Sequence, residues 1–133
     1  MARKLYQEMA SLIQARQNCI NKGNAEWQGK HEKRLYELLD ELPHGSGLDY
    51  TWHYDFNKSN QDKIVLLMSF HAMDENGYYD AVIDFKVTIT ASLSNDINMV
   101  ITGNFGKYQD IKDYLYDILQ YALTSGLKET AKN

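Results

Sequence analysis

The sequence predicts an α+β domain in the order ααββββα, with the helices packed on one face of a four-stranded antiparallel meander. Three observations carry that reading. Two amphipathic stretches with helical spacing open the chain, the apolar period changes from 3.6 to 2 after Pro43, and it returns to 3.6 after Asp110. The 133 residues, 44% hydrophobic and 24% charged, suit one domain that buries its own core and leave no room for a second beside it. The domain is expected over 1–127, and the polar run 128–133 is expected to fray.

In the first helix, from Ala2 to about Asn21, Leu5, Met9, Leu12, Ile13 and Ile20 recur near helical spacing. Gly23 then suits a left-handed helix end, and Asn24 suits the cap of a second helix. Trp27, His31, Leu35, Leu38, Leu39 and Leu42 form the stripe of that helix, with Lys30, Glu32, Lys33, Arg34 and Glu37 toward water. The short link makes a helical hairpin. Pro43, which has no amide donor, stops the second helix.

From Leu48 to Phe56, apolar Leu48, Tyr50, Trp52, Tyr54 and Phe56 alternate with Asp49, Thr51, His53 and Asp55, the strongest strand signal in the chain. Lys63 to His71 reads as a second strand, and Asn76-Gly77 marks a hairpin leading into a third from Tyr78 to about Thr90. A fourth runs from Ile97 to Thr102. Asp110 is expected to cap a last helix with the stripe Ile111, Leu115, Ile118, Ala122 and Leu123, ended near Gly126.

The period-2 rule then sorts the strands into two faces. One collects Tyr50, Trp52, Tyr54, Phe56, Ile64, Leu66, Met68, Phe70, Ala81, Ile83, Phe85, Val87, Met99 and Ile101, and is the core face. The other collects Asp49, Thr51, His53, Asp55, Val65, Leu67, Ser69, His71, Asp80, Val82, Asp84 and Lys86. On it His71 is expected between Asp49 and Asp80, an imidazole flanked by two carboxylates. Such a row is either a solvated alternation of charge or the start of a metal or hydrolytic site. Val65, Leu67 and Val82 on the same face suit a protein partner or a homodimer.

Fourteen Lys+Arg against eighteen Asp+Glu give a net charge of −4, which argues against a counterion-releasing nucleic-acid binder. The single cysteine, Cys19, cannot close an intramolecular disulfide, so a reducing cytoplasm is the expected compartment. No apolar run reaches the ~18 residues that a membrane span needs, and Met1-Ala-Arg-Lys leads into an amphipathic helix, not a signal-peptide core. No HExxH, CxxC or P-loop spacing occurs, so no catalytic residue, metal or cofactor is assigned. Gly45-Ser46-Gly47 reads as a tight entry to the first strand. The neighbours His44, Ser46 and Asp49 lack the chain separation that usually builds a triad. A pocket using His44, Ser46, His53 and His71 remains the enzymatic alternative.

Ten tyrosines are more than the core requires, and Tyr78, Tyr79, Tyr108, Tyr114, Tyr116 and Tyr121 gather toward the hairpin tip and the final helix. Aromatic rings supply contact area with few rotors to freeze, which suits protein recognition. Asp49, His71, Asn76, Tyr78, Tyr79 and Asp80 are the partner-binding candidates.

The segments Leu42-Pro43-His44-Gly45-Ser46-Gly47-Leu48-Asp49 and Ser69-Phe70-His71-Ala72-Met73-Asp74-Glu75-Asn76-Gly77-Tyr78-Tyr79-Asp80 resemble a family of small uncharacterised proteins of bacteriophages and bacterial mobile elements. The chain departs from that pattern at Ala81-Val82, where the family is expected to carry Gly-Trp. The resemblance implies an accessory, anti-defence (anti-CRISPR-like) role in the host bacterial cytoplasm: binding, and thereby inhibiting, a bacterial protein or protein complex. The alternative is a small-molecule- or nucleotide-binding protein, or a metal-dependent hydrolase, built on the His71, Asp49 and Asp80 row.

Overall fold

The chain follows the expected order in a computed structural model that describes residues 3–44, 51–91 and 96–126. Helices α1 (Leu5–Lys22) and α2 (Ala25–Leu39) precede strands β1 (His53–Tyr54), β2 (Lys63–Met73), β3 (Tyr79–Ala91) and β4 (Ile97–Gly103), and α3 (Gln109–Thr124) closes the chain. The four strands form one antiparallel sheet in the order β1-β2-β3-β4. Short 3-10 turns lie at Phe56–Lys58 and Gly106–Tyr108.

Gly23 ends α1 with φ +71, a backbone conformation that costs glycine nothing because it has no Cβ. Its amide and that of Asn24 donate to the last carbonyls of α1, and the Asn24 side chain accepts from Trp27 N–H at 3.2 Å. Asp110 does not cap α3. The capping position is Tyr108, whose side chain makes no capping bond, and Asp110 lies in the first turn, where a carboxylate still meets the positive end of the helix dipole. The two ends of the fold meet where Leu5 N–H donates to Ser125 O at 3.2 Å and Lys4 bridges Gly126.

One hydrophobic cluster joins Leu5, Met9 and Ile13 of α1, Leu35 and Leu38 of α2 and Leu115, Leu119 and Leu123 of α3 to Leu66, Met68, Ile83, Phe85, Val87, Met99 and Ile101 of the sheet. The inner face therefore contains the residues that the period-2 pattern assigns to it, with Phe56, Phe70 and Ala81 half-buried. Tyr50 lies outside the described residues. The α2 stripe is shorter than its sequence suggests. Trp27 is 49% exposed, because the tip of the helical hairpin extends past the cluster, and its ring stacks with Lys30 and His31 instead.

The first strand departs most from expectation. Among the described residues it is two residues long, and Phe56 belongs to a 3-10 turn, not to a strand. Asp55 N–H still pairs with Val65 O at 2.9 Å, but the next ladder position is taken by a side chain. The Ser59 hydroxyl donates to Asp55 O at 2.8 Å and accepts from Val65 N–H at 2.9 Å. A buried amide that finds a hydroxyl has no need of a strand partner. The turn is held from above as well: the Arg16 guanidinium lies 3.9 Å from the Phe56 ring centroid and pairs with Glu32 at 2.7 Å.

Candidate functional site

The end of the β2–β3 hairpin is built by a local hydrogen-bond set. Asp74 N–H donates to Tyr78 O, Gly77 N–H donates to Asp74 O, and one Asp74 carboxylate oxygen accepts from both Asn76 N–H and Tyr78 N–H at 2.9 Å. Gly77, at φ +80, takes the left-handed place that this turn requires. Asn76 thus serves the turn through its backbone.

The pairing then slips by one residue. Ala72 faces Ala81 but Met73 faces Tyr79, so Asp80 is the extra residue of a β-bulge. A one-residue slip exchanges the faces of everything beyond it. Tyr79 therefore takes the outer-face place that strict alternation gives to Asp80, and its ring meets His71 edge-on at 5.3 Å. Asp80 turns toward the 3-10 turn after β4, where the Tyr108 hydroxyl donates to its carboxylate and Lys107 Nζ lies 3.2 Å away. Those two donors, Tyr108 foremost, hold the Asp80 carboxyl below its ordinary pKa.

The expected flanking of His71 by two carboxylates is thus corrected on one side. Val82 stands opposite His71, and Asp80 is engaged elsewhere. Asp49, the other expected neighbour, lies outside the described residues, as do Ser46 and the rest of 45–50. Among the described residues no three His, Cys, Asp or Glu side chains converge as metal ligands.

Tyr78 and Tyr79 are 72% and 59% exposed. Both rings are outward because Tyr78 precedes the strand and is not bound by its alternation. Met73, opposite Tyr79, and Val82, opposite His71, are also exposed at the hairpin end. The turn between the strands carries the exposed acids Asp74 and Glu75.

The same outer face continues along the sheet as an open groove of about 1200 Å³, lined by His53, Leu67, Ser69, Asp84, Lys86 and Thr102 among others. It exceeds the ~300–1,000 Å³ of ordinary small-ligand pockets and is open to solvent on one side. Ser69 and Asp84 stand opposite each other, and the serine hydroxyl donates to the carboxylate.

Sequence reasoning placed Tyr78, Tyr79, Asn76 and His71 near one another, and the structure brings them to one end of the sheet. It missed Met73 and the Lys107–Tyr108 pair. Met73 was findable, since extending the second strand two residues past His71 puts it on the same face. The Lys107–Tyr108 contact, 28 positions from Asp80 in the case of the tyrosine, left no local signal. Comparison of the chain with protein-family models, curated proteins and solved structures finds no match.

Proposed function

We propose that the protein is a non-catalytic binding module that docks the end of its β2–β3 hairpin onto a basic patch of another bacterial protein. The observation that carries this reading is the exposed group Met73, Tyr78, Tyr79 and Val82, four large side chains that the domain leaves in water beside Asp74 and Glu75. Exposed aromatic rings next to carboxylates suit a partner that offers apolar pockets rimmed by Lys or Arg. The turn holding Tyr78 is closed by its own hydrogen bonds, so docking freezes little backbone.

The phage or mobile-element role, and inhibition of a host defence component in the bacterial cytoplasm, extend this reading on the strength of the sequence resemblance alone. The hydrolase alternative would build on His71, opposite which Val82 and not Asp80 stands.

Site-specific photo-crosslinking in a bacterial lysate tests the proposal. A photoreactive residue at Tyr78 is expected to capture one protein that the same group at Tyr121, exposed on α3, does not. Glu75→Lys should weaken that capture, and added salt should weaken it in the unsubstituted protein. Capture of the same protein from both positions, or no loss with Glu75→Lys, would overturn the reading.

A further inference from the structure

The backbone of β4 carries an unused row of hydrogen-bonding groups whose positions follow from strand parity. In an extended strand one residue points its N–H and C=O to one side and the next residue to the other. Val65 bonds toward β1, through Asp55 N–H and the Ser59 hydroxyl. Leu66 therefore bonds toward β3, where Val87 is its partner. Thr88 then points to β4, where Val100 is its partner. The only register shift between β2 and β3 falls at Ala72/Met73, clear of these positions. Asn98, Val100 and Thr102 are thus bonded to β3, whereas Ile97, Met99, Ile101 and Gly103 direct their N–H and C=O groups away from the sheet. Among the described residues, no backbone hydrogen bond from outside the sheet reaches these four.

We infer that β4 pairs antiparallel with β4 of a second copy of this chain, about a two-fold axis at Val100. Such pairing sets Ile97 opposite Gly103 and Met99 opposite Ile101, joining outward-pointing residues only, so every open group on the edge finds a partner. Asn98 meets Thr102, and Val100 meets its own copy in a non-hydrogen-bonded pair, where side chains approach most closely. That contact covers a valine that is 61% exposed in the single chain.

Four features select a second copy as the occupant. The strand Ile97–Gly103 has no charged residue, no proline and no bulge, the usual means of blocking an edge. Read against its own reverse, it sets Met99 against Ile101, Asn98 against Thr102 and Val100 against itself, like chemistry against like. Lys112 and Asp113 line a hollow beside Met99, Val100 and Ile101, so the flank of the edge carries both signs, which a two-fold-related copy brings within reach of each other. The opposite edge of the sheet, at β1, is two residues long and gives way to a 3-10 turn. Among the described residues this edge offers too short a partner for the seven residues of β4, so association closes at two copies. This inference does not depend on the partner proposed for the hairpin tip.

Sedimentation velocity combined with hydrogen exchange read at single amides tests it. The unsubstituted protein should sediment at twice the chain mass, with Met99 and Ile101 amides protected in the dimer and exchanging rapidly on dilution to monomer. Val100→Lys puts like charges face to face on the axis and should give a folded monomer, while Val100→Thr should remain dimeric. A monomer at all concentrations would overturn the inference. So would a dimer that survives Val100→Lys, or one in which Met99 and Ile101 amides stay unprotected. The concentration dependence of those two amides in the unsubstituted protein decides the matter even if Val100→Lys does not fold.

Discussion

The two edges of the sheet are closed by different kinds of chemistry. At β1, side chains fasten the backbone: Trp52 Nε1–H donates to Pro43 O at 2.8 Å, the Tyr54 hydroxyl donates to Leu35 O at 2.7 Å, and the Ser59 hydroxyl serves both Asp55 and Val65. At β4, no comparable side-chain device appears among the described residues, and Ile97, Met99, Ile101 and Gly103 present open backbone groups. Where it is described, the first edge is fastened to the domain by side chains; the second is suited to another strand. Strand length on this molecule thus depends less on alternation than on whether a side chain intercepts the ladder.

The comparison predicts a descending series of effects. Trp52→Ala should be the most damaging, because the indole is buried, meets Phe85 edge-on at 5.8 Å and anchors Pro43. A loss of about 3–5 kcal/mol is expected, measured by urea denaturation. Ser59→Ala leaves the Val65 amide without its acceptor and should cost about 1–3 kcal/mol. Faster exchange of that one amide would show that the hydroxyl ends the strand; unchanged exchange would show that it does not.

Tyr54→Phe should cost about 1 kcal/mol, the net worth of one hydrogen bond. It carries a pH signature too. Burial pushes the Tyr54 phenol far above its ordinary pKa of about 10, so the folded state holds this proton more tightly than the unfolded state. The stabilisation is complete below pH ~10 and declines above it, by up to about 1.4 kcal/mol per pH unit. Tyr54→Phe should remove that share of the alkaline slope, as denaturation series at rising pH would record.

At the open edge, Val100→Thr should change monomer stability by no more than about 0.5 kcal/mol, since the side chain is already in water. A larger loss would mean that the β4 edge is covered within the domain and that the contrast between the edges fails. Smallest of all is Tyr108→Phe, away from both edges. Removing its donor should raise the Asp80 pKa toward the usual carboxylate value, followed by NMR titration of the carboxyl carbon. The sign follows from the depressed value: the contact is intact at neutral pH and is lost as pH falls through the Asp80 pKa.

Much of this molecule was legible in the chain. Gly23 and Asn24 end and start helices because one lacks a Cβ and the other carries a short acceptor, and Gly77 turns the hairpin because it too lacks a Cβ. The inner sheet face follows from alternation of the residues in β2, β3 and β4. The candidate site was read in part. Tyr78 and Tyr79 were placed at the hairpin tip, but the carboxylate expected beside His71 was misassigned, since a bulge does not announce itself in the pattern it interrupts.

The division has a physical basis. The sequence alone determined element order, caps, turns and the buried face, because these depend on dihedral preferences and on the period of apolar residues within one segment. Only tertiary structure decided where β1 stops, which way Asp80 points and which edge stays open. Each depends on hydrogen-bonding groups supplied by other segments: Ser59 for Val65, Tyr108 for Asp80, Leu35 for Tyr54. Such partners are chosen by packing in three dimensions, after local preferences have been satisfied.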